Sequence, residues 1–235
     1  VELYAMKYGE SPLYETKKIY ADMCKSEERE NFFWMYYVAK YNNKILLFDT
    51  GYRDKEIASK FGMTYNNIEK ELKSIIGDYD NVDVIFLTHS HFDHIGNLDL
   101  YQKCSIVISK VEYDIAMKEC SKAVVQRLSQ SDVTIVDDEF LYEDKFLFKV
   151  IGGHSPGSSV VYFKDGDTSY VLTGDESYML KNMLEKRPVG IYFNIEKNLD
   201  FLCDANNKKL VALCFHDVNV FENYEHISKD VAKII

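Results

Sequence analysis

The 235-residue sequence predicts an α/β protein in which two β-sheets pack together with helices outside. Two observations carry this expectation. Apolar strand-like runs alternate with segments of helical period, and that order repeats in two roughly equal halves. The strand ends also echo one another. "LLFDTG" and "VLTGD" close on Asp, Gly and Thr, while "IFLTH" and "ALCFH" close on His, which points to duplicated halves. Only Pro12, Pro156 and Pro188 interrupt the chain and no Gly/Ser linker divides it, so one domain over residues 1–235 is expected.

In the first half, "ELYAMKYG" alternates, "NFFWMYYVAKY" is aromatic and β-branched, and "KILLFDTG" is a short apolar run ending in turn residues. Asn42-Asn43 joins the last two as a hairpin turn. Ile68, Leu72, Ile75 and Ile76 then fall on one helical face, closed by Gly77. "VDVIFL" and "SIVIS" follow as strands. Ser109 and Glu112, three apart, form a capping box opening a helix through Val111, Ile115 and Ala116. In the second half, "FLFKVIGG", "SSVVYFKDGDTSYVLTGD" and "KLVALCFHD" hold four strands, with Asp165-Gly166 turning the middle hairpin. Helices fill part of 179–187 and much of 195–206.

Composition narrows the function. The net charge is −10, so the surface field repels phosphate backbones and nucleic acid is not an expected partner. Cys24, Cys104, Cys120, Cys203 and Cys214 are widely spaced, which fits free thiols in a reducing compartment better than a disulfide framework. No stretch approaches transmembrane length and "VELYAMKYGE" lacks the apolar run of a signal peptide, so a cytoplasmic protein without a membrane partner is expected.

The chemistry is concentrated in "LTHSHFDHIG". His89, His91, Asp93 and His94 crowd into six positions after a buried strand. His89 and His91, two apart, can point the same way from extended chain, and Asp93 and His94 follow once the chain has turned. Imidazole with carboxylate suits zinc, iron, manganese or nickel rather than calcium or magnesium. His154 in "GGHSPGS", Asp175 ending "SYVLTGD" and His216 ending "LVALCFHD" stand at or just past the carboxyl ends of strands, where they can gather at one sheet edge. His226 is left over and is expected on the surface or packed against a helix.

H-x-H-x-D-H, followed by His154, Asp175 and His216 in that order, resembles the metallo-β-lactamase superfamily, and "FDTG" at 48–51 is similar to its first motif. The resemblance implies an αββα sandwich with two divalent ions at its edge, zinc first, with iron, manganese or a mixed pair as alternatives. One ion would be held by His89, His91 and His154 and the other by Asp93, His94 and His216, with Asp175 bridging and Asp49 supporting from behind. It further implies that a water acidified between the two ions attacks a carbonyl. Asp93 would then carry a proton to the leaving group.

Within the superfamily, "HFDH", "GHSPG", "DESY" and the His216-Asp217 pair resemble N-acyl-homoserine lactonases. The substrate so implied is a small lactone or related ester, with Tyr178 contacting its carbonyl. Two alternatives stay open: a thioesterase of the glyoxalase II type, and a non-hydrolytic iron oxygenase on the same fold. The chain departs from the lactonase pattern in three places. Phe215 replaces a glycine and is expected to narrow the pocket. Ser158 replaces a histidine and is expected to remove a supporting contact. The stretch between Gly51 and Asp83 is short, with Phe61, Met63 and Tyr65 available to line a pocket.

Overall fold

A computed structural model describes residues 1–235. Its strands are β1 (Glu2–Glu15), β2 (Arg29–Tyr41), β3 (Lys44–Phe48), β4 (Thr64–Tyr65), β5 (Val84–Leu87), β6 (Ser105–Ser109) and β7 (Val133–Val136), then β8 (Glu139–Tyr142), β9 (Phe146–Val150), β10 (Ser159–Asp165), β11 (Thr168–Leu172), β12 (Val211–Leu213), β13 (Glu225–Ser228) and β14 (Val231–Lys233). A nine-stranded sheet runs β13-β14-β1-β2-β3-β5-β6-β7, with β4 beside β1, and a five-stranded sheet runs β12-β11-β10-β9-β8. Both are mixed. β3, β5, β6 and β7 pair in parallel in the first, and β11 with β12 in the second.

The layers follow from which side chains each strand turns inward. Phe48 and Phe86 of the large sheet meet Phe146, Phe148 and Phe215 of the small one in a dry inter-sheet core. Opposite faces of the same strands carry Val38, Leu47, Ile85 and Ile106 under Leu72 and Ile76 of helix Glu69–Ile76 and Leu128 of helix Lys122–Ser129. On the far side, Val160 and Val171 pack under Met183, Phe201 and Leu202 of helices Leu180–Leu184 and Ile195–Asn207. The order is helix, sheet, sheet, helix, as the resemblance implied.

Local chemistry sets the connections. Asn42 and Asn43 both take positive φ, the geometry a two-residue hairpin turn requires. The middle hairpin turns one residue later than expected, on Gly166-Asp167 between the paired Asp165 and Thr168, with Gly166 at φ +55°. Helix Lys110–Glu119 begins at the expected cap, where the Ser109 hydroxyl accepts the Glu112 N–H. The reciprocal half of the capping box is absent, because the Glu112 carboxylate turns inward to two loops instead.

Several elements were not legible from pattern. Strand β1 runs beyond Gly9 to Glu15, past Pro12, through irregularities in its pairing with β2 that accommodate the proline. The short strands β7, β8, β13 and β14 gain their order from neighbours: β14 pairs β1 across more than two hundred positions of sequence separation. No helix of the structure is long and apolar enough to cross a membrane. All five cysteines are free.

The inter-sheet core sets the scale of stability. Phe148 is fully buried, and Phe148→Ala should lower unfolding free energy by about 3–5 kcal/mol. Urea denaturation of the metal-free protein measures this, and a loss under about 1 kcal/mol would mean that the sheets are not tightly interlocked there.

Candidate metal centre

The candidate ligands come from chain segments just beyond strand ends at one edge of the sandwich. His89 and His91 follow β5, and Asp93 and His94 lie in the single turn Phe92–Ile95 that begins next. Tyr8 of β1 donates its hydroxyl to the Asp93 carbonyl at 2.7 Å and pins that turn. His154 lies in the loop between β9 and β10. Asp175 lies just beyond β11 and His216 just beyond β12.

The structure brings these seven side chains into two groups that share one member. His89, His91, His154 and Asp175 form the first, and Asp93, His94, His216 and Asp175 the second, the ligand atoms of each group lying within 4.8 Å of one another. Asp175 faces both ways. Its Oδ1 lies 3.0 Å from His94 Nε2 and 3.0 Å from His216 Nε2. Its Oδ2 lies 3.3 Å from His154 Nε2 and 3.6 Å from His89 Nε2.

Hydrogen bonds behind the rings decide which nitrogens face inward. His94 Nδ1 is 2.7 Å from Asp49 Oδ2, and the same carboxylate accepts the Thr88 N–H and hydroxyl at 2.7 Å each. The Thr88 oxygen, its hydrogen given to Asp49, accepts from His89 Nδ1 at 3.1 Å. His154 Nδ1 donates to the Ile191 carbonyl at 2.9 Å and His216 Nδ1 to the Phe33 carbonyl at 2.8 Å. His89, His154 and His216 are thus free to turn a bare Nε2 inward, whereas the acids around His94 favour a proton on its Nε2 until a cation replaces it. His91 differs, presenting Nδ1 at 3.0 Å from both His89 Nε2 and His154 Nε2.

This donor set fits a metal. Three imidazole nitrogens converge here, His91 Nδ1 lying 3.0 Å from each of the other two, and one cation between them could take all three lone pairs. Ligand atoms on a tetrahedral zinc with bonds of about 2.0–2.1 Å are about 3.3 Å apart, close to the separations seen. In the second group, buried His94 Nε2 has no hydrogen-bond partner of acceptable geometry, the only such side-chain atom in the structure.

The electrostatics agree. Burial, then the charge on His94, holds His89 well below the ordinary histidine value, and burial lowers His154 to about 4. Both are neutral and free to ligate. Burial also opposes a charge on His94, yet Asp175, Asp93 and Asp49 outweigh it and hold its pKa well above the ordinary value. Burial would raise Asp175, but His94 and His216 hold it well below the carboxylate range.

A cavity of about 290 Å³ opens over both groups. Tyr14, Phe32, Trp34, Phe61, Phe92 and Ile191 wall it, and His91, Asp93, His154, Asp175, Tyr178 and His216 complete it. The Tyr178 hydroxyl lies 3.2 Å from His154 Nδ1, whose hydrogen is already given to Ile191. Burial, then Asp175, raises Tyr178 well above the usual phenol value, so it keeps its proton and can donate it.

A family model described as the metallo-beta-lactamase superfamily matches residues 34–206. The chain belongs to that superfamily. Among curated superfamily relatives, an N-acyl homoserine lactonase of Bacillus thuringiensis is 27% identical over 124 residues, covering 50% of this chain and 47% of the relative. A probable metallo-hydrolase of Methanocaldococcus jannaschii is 25% identical over 154 residues, covering 66% and 61%. The chain thus spans about half the length of the lactonases it matches. Among solved structures, an N-acyl homoserine lactone hydrolase with N-hexanoyl-L-homoserine at its catalytic metal center superposes with TM-score 0.80 at 18% identity, covering 96% of this chain and 97% of that one. A quorum-quenching N-acyl homoserine lactone lactonase gives TM-score 0.77 at 20% identity over 93% and 92%.

The expectations for Phe215, Ser158, Met63 and Tyr65 need correction, while those for Phe61 and His226 hold. Phe215 does not reach the pocket. Its ring is fully buried between the sheets, 5.0 Å from the Tyr37 ring, because alternation along the chain past β12 turns it away from His216. Ser158 does not remove a contact: it accepts the Ser155 N–H and donates to Glu176. Of the proposed lining residues, Phe61 stacks on Phe92 at 4.7 Å and lines the cavity, whereas Met63 is buried against Gly9 and Tyr65 pairs with β1. His226 lies on β13 with its ring against Phe221 of helix Asn219–Asn223, as a leftover histidine should.

Two buried acids have roles that the sequence reading did not assign. Glu176 accepts the backbone N–H groups of Gly153 and His154 at 2.9 and 3.0 Å and the Asn198 amide at 2.8 Å, fixing the His154 loop. Glu112 does comparable work on two loops. Only Glu176 carried a local signal, as an acid directly beside a candidate ligand.

The raised His94 pKa makes metal uptake proton-linked. His94 carries its proton above the unfolded value of about 6.5, so its charge stabilises the metal-free fold below that value. That contribution is lost as pH rises through the raised folded pKa. A cation taking His94 Nε2 would displace that proton, so apparent affinity should rise with pH. Calorimetry in buffers of different ionisation enthalpy counts the protons, and uptake that releases none near pH 7 contradicts the assignment.

Proposed function

We propose that the chain is a dinuclear metal-dependent hydrolase that opens a lactone or cleaves a related small ester with an apolar acyl part. The observation carrying this reading is the Asp175 carboxylate, whose two oxygens each face a separate set of imidazole nitrogens. Zinc is the first choice of ion, with iron, manganese or a mixed pair next. An ion in each half-site would supply an acidified water as nucleophile and an electrophilic partner for the substrate carbonyl.

The chain's own residues supply the rest. Tyr178 keeps its proton and would donate it to the carbonyl oxygen as negative charge develops there. Asp93, between the cavity and His94, would carry a proton to the leaving alkoxide. The aromatic walls exclude water and offer apolar surface to an acyl group. No lysine or arginine lines the cavity, which disfavours glutathione thioesters and phosphodiesters, whose anionic groups need such anchors. The lactonase relatives favour the same substrate class.

Protein loaded in turn with zinc, iron or manganese should turn over N-acyl lactones or small esters faster than thioesters or phosphodiesters. Turnover confined to phosphodiesters rejects the substrate class. Asp175→Ala should lose both bound metal and activity. Tyr178→Phe should keep both ions and lose about ten- to hundredfold in kcat/KM. Full activity in that variant would leave the hydroxyl no role in the reaction.

A further inference from the structure

The Glu112 carboxylate takes no part in the chemistry above, yet it is 1% exposed and pairs with no lysine, arginine or histidine. We propose that Glu112 is a positioning residue that fixes the half-site of His89, His91 and His154, and that half-site alone. The inference rests on the two-ion reading.

Glu112 lies in the first turn of helix Lys110–Glu119, whose end points between two loops. Its Oε2 accepts the Ser90 backbone N–H at 2.9 Å and the Ser90 hydroxyl at 2.6 Å. Its Oε1 accepts the Gly157 N–H at 2.9 Å and the Ser155 hydroxyl at 2.7 Å. Ser90 stands between His89 and His91, and Ser155 follows His154. One carboxylate therefore ties together both loops that present the three converging nitrogens. The fit is close: a Cβ on Gly157 would come within 2.4 Å of the Ser109 hydroxyl oxygen. In the other half-site, His94 leans on Asp49 and His216 on the Phe33 carbonyl, and neither touches Glu112.

A glutamine cannot take this place. Each oxygen accepts one backbone N–H and one hydroxyl. A hydroxyl can rotate to donate elsewhere, but a backbone N–H cannot, so either orientation of the amide sets its NH₂ against a fixed donor. One loop must then move away, spreading the nitrogens.

Cobalt titration in two backgrounds tests this, with binding read by absorption and by competition with a chelator. His216→Ala leaves only the first half-site complete, and His154→Ala only the second. Adding Glu112→Gln should weaken cobalt binding about ten- to hundredfold in the first background and less than about threefold in the second. Equal losses in both, no loss in the first, or no cobalt bound to His216→Ala at all would overturn the proposal. Ser109→Ala, which removes the cap of the same helix, should lower the Tm while leaving cobalt affinity unchanged. A matching loss of affinity there would make Glu112 merely structural. If Glu112→Gln does not fold, Ser90→Ala with Ser155→Ala removes two of the bonds and should reproduce the one-sided loss in smaller degree. A wild type that takes up one cobalt refutes the two-ion reading separately, since the single-site backgrounds still decide the role of Glu112.

Discussion

The arrangement depends on burying negative charge without a lysine or arginine to meet it. Asp49, Asp93, Asp175, Glu112 and Glu176 are all buried, and their only cationic neighbours are histidines. A buried carboxylate is costly unless paired or fully hydrogen-bonded. Asp49, Glu112 and Glu176 meet that demand with backbone N–H groups, hydroxyls, an amide and one ring hydrogen. Asp93 and Asp175 have no backbone or hydroxyl donors and face only imidazole Nε2 atoms. The protein has spent its internal donors on the supporting acids and left the central two for a cation.

The echo between strand ends becomes spatial in the fold. β3 and β5 are adjacent and parallel, delivering Asp49 and His89, while β11 and β12 are adjacent and parallel, delivering Asp175 and His216. Each half offers an acid and a histidine from neighbouring strand ends. The halves are not equivalent in use. Asp49, at φ +66°, turns its carboxylate behind His94, whereas Gly174 at φ +48° lets the chain carry Asp175 to the centre. A side chain at Gly174 would collide with Thr88, so the two halves touch closely there.

Much of this was legible in the sequence because ligands cluster after apolar strands, and strand runs and polar strand ends are local signals. His89, His91, Asp93 and His94 announced themselves by spacing, and His154, Asp175 and His216 by position at strand ends. What stayed hidden depends on contacts between distant segments. Ser109 and Glu112 have capping-box spacing, and nothing local says that the acid will find Ser90 and Ser155 instead. The direction of Phe215 depended on the strand's register, and Ser158 found a partner in Glu176, eighteen positions away. β13 and β14 exist because β1 has an edge to pair with.

The position of His216 bears on how the centre comes into being during synthesis. Every candidate ligand of the first half-site has been made once residue 175 is in place, while the second waits for His216. That last histidine also needs β12 docked beside β11 and its ring lodged under the Phe33 carbonyl of β2, from the opposite end of the chain. The second half-site is therefore a clasp between early and late segments. An ion seated there would bind only the closed chain, and would therefore draw the folding equilibrium forward and make metal supply part of the protein's maturation.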